Sequence, residues 1–316
     1  MRQLITTAGP LTEPTPEALA TSLRVADQGF WLDIEQPDDS DYALLQDTFG
    51  FHPLTLEDIW HQNQRPKLED YEGYAFVVLF TADWEGGDVR IREQHLYLSR
   101  RYVVSVHLEP SPELAELQSR IRSTPELTRR SLSFLFYLVV DKVVDGLFTV
   151  LEAIDDETDA LQDSIVRRPT DEALSQIYRL KRAVVGLRKN LGAQQDLFQR
   201  LTTGSLAEPD MTVYFRDVYD HIVRQHETVD SLRDLLTSAM DVYLSTVSNR
   251  LNDVVRRLTV IATLFMPLTF ITGFFGMNFS WLVSHITGAG TFALGMGLML
   301  ATVAAQFVYF RRQGWV

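Results

Sequence analysis

A chain of 316 residues has room for two or so domains, and 46% apolar residues give it material for a core. The formal net charge of -13 excludes the basic surface that nucleic-acid binding needs, and it suits cations as partners. The absence of Cys excludes both disulfides and thiolate metal ligands.

In chain order, residues 1–10 contain no apolar run, so no signal peptide is expected there. Residues 1–130 read as a cytoplasmic α/β domain. Phe30-Trp31-Leu32-Asp33-Ile34, residues 74–80, Gln94-His95-Leu96-Tyr97-Leu98 and Tyr102-Val103-Val104-Ser105-Val106 are β-branched and aromatic runs of strand length. Residues 39–49 and 112–122 have helical patterning. The segment from Asp83 through Glu85 to Asp88 is a hairpin turn, with Gly86-Gly87 supplying the positive φ angles. Asp38, Asp39 and Asp41 suit a helix N-terminus, where carboxylates meet the positive end of the dipole. His52, His61, His95 and His107 lack the paired spacing of zinc sites, and are expected to be satisfied structural residues. No Gly-rich phosphate loop and no nucleophile–base pairing emerges. An enzyme is not expected, nor an organic cofactor.

Residues 131–257 read as a helical stalk region. Leu135, Leu138, Val139, Val143, Leu147, Val150, Leu151 and Ile154 recur at three- and four-residue steps. An acidic face follows at Asp155, Asp156, Glu157, Asp159 and Asp163, and Pro169 ends the helix. A second helix over 171–203 carries Arg188-Lys189 and Lys181-Arg182, so two accounts stand: antiparallel helices with complementary faces, or a cation-sensing belt. Between Pro209 and Pro267 there is no proline, and Val218, Ile222, Val229, Leu232, Leu236, Tyr243, Val247, Leu251, Val254 and Leu258 keep an apolar stripe. As one helix this element is on the order of 85 Å long, running from the cytoplasm into a bilayer.

Residues 258–310 contain no Asp, Glu, Lys or Arg. A bilayer core takes about 20 apolar residues per helix, so the stretch fits two spans: 258–275 and 291–310, joined by an outer connection over 276–290. Arg256-Arg257 precede the first and Arg311-Arg312 follow the second, which places both termini in the cytoplasm, with residues 311–316 as a basic tail. A second stripe, Asp241, Ser248, Asn252, Val255, Thr259, Ala262, Met266, Thr269 and Gly273, follows the spacing of packed parallel helices. Its small and hydroxyl-bearing members fit either a close-packing seam or, repeated around a ring, a pore lining.

Met266-Pro267-Leu268-Thr269-Phe270 leads into Gly276-Met277-Asn278 at the end of the first span. Here the chain resembles the CorA family of divalent-cation channels, whose hallmark is a Gly-Met-Asn tripeptide closing the first of two C-terminal membrane helices. Tyr214-Phe215-Arg216-Asp217-Val218-Tyr219-Asp220-His221, the tail 311–316, residues 53–59 and Gln64-Arg65-Pro66-Lys67 extend the resemblance. Phe275 stands where Tyr is usual, and 279–290 lacks the acids that many relatives carry.

The resemblance implies an α+β cytoplasmic domain, long stalk helices and a two-helix membrane hairpin, assembled as a funnel-shaped homopentamer in the cytoplasmic membrane. It implies influx of Mg2+, with Co2+ and Ni2+ as smaller fluxes. The filter falls on Gly276, Met277 and Asn278, and pore contacts on Thr269, Met266, Leu258, Asn252 and Asp241. Regulatory Mg2+ falls on Asp217 and, from the neighbouring subunit, on Asp83, Glu85 or Asp88. Mg2+ sheds water reluctantly, so neutral oxygens that grip its hydration shell suit fast passage better than carboxylates. The alternatives are the proton-coupled zinc transport of the related ZntB branch, for which His285 is the one ionisable group of the outer connection, and a membrane-tethered sensor or scaffold without flux.

Overall fold

The computed structural model describes all residues except 7, 8, 13, 16–18, 20, 24–28, 63, 125, 128–130, 204–211, 286, 287 and 316. The junction at residue 130, Pro209, two residues of the outer connection and the terminal Val316 thus lie outside the described residues. The chain divides into two compact units, Met1–Met240 and Asp241–Val316.

The first unit is built on a seven-stranded mixed sheet in the order β2-β1-β3-β7-β6-β5-β4. Its strands are β1 (Arg2–Thr6), β2 (Gly9–Thr12), β3 (Phe30–Glu35), β4 (Lys67–Tyr71), β5 (Tyr74–Glu85), β6 (Asp88–Leu98) and β7 (Tyr102–His107). Only β3 and β7 pair in parallel. The four sequence-predicted strands are present. β5 and β6 continue past them to meet at Gly86 and Gly87, whose φ angles of 58° and 90° give the two-residue turn its twist. The polar ends of these strands stay in the ladder because their charges are paired across it: Asp83 lies opposite Arg90 and holds Arg92. Strand β4, with Lys67, Glu69 and Asp70, has the charged composition of a protected edge, which is why its sequence does not advertise a strand.

One face of the sheet carries Phe30, Leu32, Ile34, Phe76, Val78, Tyr97, Val104 and Val106. It packs on Leu44 and Leu45 of α1 (Asp39–Asp47) and on Leu56 and Ile59 of α2 (Pro53–His61). Helix α1 begins as expected: Asp38 accepts from the N–H groups of Ser40 and Asp41, and Asp41 accepts from Asp38 N–H. The other face holds a buried polar set. Trp31 Nε1 donates to Ser105 Oγ (2.8 Å), and Asp33 accepts from Ser105 and from Gln118 of α3 (Pro112–Ser123) (2.7 Å to Gln118). His107 Nε2 lies 3.2 Å from the same Asp33. His52 caps α2 by accepting from Leu54 N–H, as a structural histidine should. His95 departs from that expectation: it is fully buried, its ring nitrogens make no hydrogen bond among the described residues, and the Glu93 carboxylate lies 3.4 Å away.

Helix α4 (Leu132–Arg167) buries every apolar position predicted for it, and α5 (Asp171–Thr203) follows. Of the acidic face on α4, Glu157 reaches α5, accepting from Gln176 (2.5 Å) and lying 3.9 Å from Arg179. Arg188 turns the other way, to Asp230 (2.6 Å) on α6 (Thr212–Phe275), which runs unbroken for 64 residues. On α6 the apolar stripe is buried at Val218, Ile222, Val229, Leu232, Leu236 and Tyr243. Its continuation, Val247, Leu251, Val254 and Leu258, is exposed: nothing in a single chain covers those four side chains.

Candidate ion path and cation site

The second unit contains the C-terminal part of α6, a short helix α7 (Ser280–His285) in the outer connection, and α8 (Ala289–Arg312). Both α6 and α8 contain windows long and apolar enough to cross a membrane. Pro267 sits inside α6. It has no N–H, so the carbonyl of Thr263, four residues earlier, loses its helix partner. The Gln306 side chain of α8 replaces that partner, its Nε2 donating to Thr263 O at 2.9 Å. One amide thus repairs the ladder and fixes the register of the two helices, while Gln306 Oε1 is buried with no hydrogen bond.

On α6 the side toward α8 is marked by Val260, Thr263, Leu264, Pro267, Leu268, Ile271 and Phe275, all buried or half-buried. At about 3.6 residues per turn, Thr259, Ala262, Met266, Thr269 and Gly273 fall on the opposite side, with Leu258, Asn252 and Asp241 close to the same line. All of them are exposed; Met266 is 72% and Leu258 61% accessible. The fold therefore brings Thr269 and Met266 onto the side that α8 leaves free, while Leu258, Asn252 and Asp241 lie on the stretch of α6 at and beyond the end of α8, where they are exposed. The Thr269 hydroxyl donates to Phe265 O (2.9 Å), so its proton faces the backbone and its lone pairs point away from the helix as acceptors. Thr259 does the same with Val255 O (2.8 Å).

The helix ends where the tripeptide begins. Gly276 N–H still donates to Thr272 O (2.9 Å) and Met277 N–H to Phe274 O (3.3 Å), after which the chain leaves the helix. Asn278 is exposed, and its side chain makes no hydrogen bond among the described residues. His285 is stacked on Trp281 at 4.7 Å, with Nδ1 2.8 Å from the Trp281 carbonyl oxygen.

In the first unit, a cation site can be assembled from two i, i+4 pairs. Asp141 and Asp145 on α4 and His221 on α6 bring ligand atoms within 4.8 Å of one another. His221 Nδ1 lies 2.8 Å from Asp145 and 3.8 Å from Asp141, and its Nε2 lies 4.0 Å from Asp217. Burial, and then the charge of Asp145, push the Asp141 carboxyl up to about 6, and Asp141 Oδ1 has no hydrogen bond. Burial and the same acids raise Tyr137 to about 12. The Asp141 and Asp145 carboxylates are the oxygen donors that Mg2+ takes, with His221 beside them and Asp217 on the other side of its ring, so the acids present fit such an ion. The turn acids are placed differently. Asp83 is ion-paired to the buried Arg92 (2.6 Å), which also binds Glu113 (2.8 Å), and Glu85 faces Asp88 across the hairpin end.

Residues 26–312 match the family described as CorA-like Mg2+ transporter protein. The chain belongs to the CorA family. It is 37% identical over 273 residues to the cobalt/magnesium transport protein CorA of Thermotoga maritima, covering 85% of this chain and 78% of that one. With the protein of the same name from Methanocaldococcus jannaschii it shares 25% identity over 290 residues, covering 90% of this chain and 91% of that one. The complete structure of a CorA magnesium transporter from that archaeon superposes with a TM-score of 0.86 at 22% identity, over 100% of this chain and 99% of that one, which is a likeness of fold. The CorA family is one of transporters and not of enzymes. In this CorA chain the sequence reading missed Asp141, Asp145, His221 and Gln306. The signal for the first three was the i, i+4 spacing of both acid-bearing pairs; Gln306 stood out only as a lone amide in an uncharged span facing a proline four residues from an orphan carbonyl.

Proposed function

We propose that the protein conducts Mg2+ into the cell down the membrane potential, as a homopentamer in the cytoplasmic membrane with both termini inside. Co2+ and Ni2+ pass as smaller fluxes. The observation that carries this reading is the free side of α6: its exposed polar and small positions lie opposite α8 and lead to Asn278. Repeated around a five-fold axis, that side lines a path. Asn278 side-chain oxygens and the Gly276 carbonyls accept hydrogen bonds from the water shell of the ion, with Met277 setting the turn between them. Thr269 accepts deeper in, by the lone pairs its back-bonded hydroxyl leaves outward. Met266 and Leu258 are apolar rings that close by dewetting, and Asn252 and Asp241 receive the ion at the cytoplasmic end.

Gating is proposed to come from intracellular Mg2+ at Asp217. Within one chain Asp141, Asp145 and His221 supply its surroundings, and Glu85, Asp88 or Asp83 of a neighbour complete the seam. Of these, Asp83 is the weakest ligand because Arg92 already holds it. Without the ion, like charges repel; with it they are bridged and the closed ring is favoured.

The zinc and scaffold readings find no observation in their favour. His285 engages Trp281 and brings no second zinc ligand among the described residues. The test is Mg2+ entry into liposomes under an inside-negative potential, with Asn278→Ala in parallel. Rapid entry abolished in the variant supports the filter. Entry of Zn2+ alone, dependent on a proton gradient, overturns the Mg2+ reading, and no flux of either ion overturns transport altogether.

A further inference from the structure

The basic residues that bracket the two apolar windows do more than set orientation. The Gln306–Thr263 contact fixes α6 and α8 antiparallel, and equal steps of six residues from it lead to Arg257 on one helix and Arg312 on the other. A rise of about 1.5 Å per residue makes the two displacements equal, so Arg257 and Arg312 stand at one level along the helix pair. Arg256 and Arg311 are their immediate neighbours in sequence.

The end of α8 confirms the level independently. Gly314 adopts a φ of 68°, which reverses the chain so that Trp315 N–H donates to Phe310 O (2.9 Å). Trp315 then stacks on Phe310 at 5.8 Å, and the Arg256 guanidinium lies 6.0 Å from its ring centroid. An indole is thereby held at the boundary where Trp prefers to sit in a membrane.

Of the four cations, only Arg256 has an acidic partner among the described residues. Asp253 is the one acid at this level with a contact, 3.8 Å from Arg256. The side chains of Arg257, Arg311 and Arg312 are exposed and make no ion pair or hydrogen bond among the described residues. Guanidinium forks match phosphate oxygens in pairs, and a basic cluster between membrane helices on the cytoplasmic side suits anionic headgroups.

We infer that Arg257, Arg311 and Arg312, flanked by the Arg256–Trp315 pair, form a binding site for the phosphate of an anionic phospholipid in the cytoplasmic leaflet. The lipid straddles α6 and α8 of one chain, and its headgroup sits next to Leu258. Occupancy therefore bears on the cytoplasmic end of the free side of α6. The inference rests on the proposed orientation, which puts these arginines at the inner leaflet.

The experiment places the full chain in nanodiscs of phosphatidylcholine with and without phosphatidylglycerol and counts retained lipids by native mass spectrometry. Selective retention of phosphatidylglycerol is expected, weakening as salt rises, with no effect of added inorganic phosphate. Each guanidinium near the surface contributes roughly fivefold in affinity, so Arg257→Gln/Arg311→Gln/Arg312→Gln should lose about a hundredfold. The corresponding triple Lys variant should keep most of the selectivity, and Arg224→Gln, exposed in the first unit, should keep all of it. Undiminished selectivity in the triple Gln variant, retention that ignores salt, or competition by free phosphate at low concentration overturns the inference. If the triple Gln variant does not fold, the salt series on the unaltered chain decides. Retained lipid without cation flux in liposomes overturns the transport reading and leaves this one standing. Labelling that places the arginines outside overturns the leaflet assignment.

Discussion

Gln306 offers a test of how the hairpin is held together, by a double-mutant cycle with Pro267. Gln306→Leu removes the donor to Thr263 O and leaves that carbonyl orphaned, because Pro267 has no N–H to give it. Interhelical hydrogen bonds in membranes contribute about 0.6–2 kcal/mol, and an orphaned buried polar group costs about 1–3 kcal/mol. Against this, Leu relieves the unpaired Gln306 Oε1, so the net loss is about 1 kcal/mol. In a Pro267→Ala background the N–H of residue 267 reclaims Thr263 O, and Gln306→Leu should be neutral or stabilising. The coupling energy is therefore about 1–2 kcal/mol. Denaturant titration in detergent, followed by hydrogen exchange over residues 263–271, reads it. Additive single effects within about 0.4 kcal/mol would refute the repair of the helix by Gln306.

Other outcomes follow from the same geometry. Thr269→Val keeps the helix but removes the outward lone pairs, and should lower Mg2+ flux severalfold while leaving the thermal midpoint within a few degrees. Leu258→Ser wets the proposed apolar ring and should raise leak flux at high intracellular Mg2+. Burial and the neighbouring Asp145 raise the Asp141 carboxyl from its ordinary 3.8 to about 6, so the folded state binds a proton more readily than the unfolded chain between those values. Metal-free protein should accordingly gain stability as the pH falls from 7 toward 4, and stabilisation by added Mg2+ should weaken over the same range as protons compete. Asp141→Asn should stabilise the metal-free protein at pH 7 and flatten both pH dependences; an unchanged pH profile by calorimetry would show that the acid cluster is not strained. Replacing Asp217 by Ala should reduce inhibition of flux by internal Mg2+, checked by preloading liposomes.

Much of this protein is set by local pattern. The uncharged stretch 258–310 between arginine pairs determines two helices long and apolar enough to cross a membrane, because core helices seldom run so far without a charge. The strands at 30–35 and 102–107 and the stripe of α4 are legible for the same reason: each must bury one face or both, and the residues say which. The stripe along α6 and the Gly-Met-Asn tripeptide that follows its end are likewise written in order along the chain. The charged edge strand β4 and the polar ends of β5 and β6 are not legible, since their stability comes from partners far along the chain. Tertiary structure alone decided that Asp141 and Asp145 meet His221, that Asp83 is committed to Arg92, and that Gln306 completes the helix broken by Pro267. Such juxtapositions join residues that spacing along the chain does not relate: α4 and α6 meet through distant burial, and α8 meets α6 only after the chain has reversed. Periodicity records which side of an element is buried, but the partner of each polar atom is fixed only when elements pack.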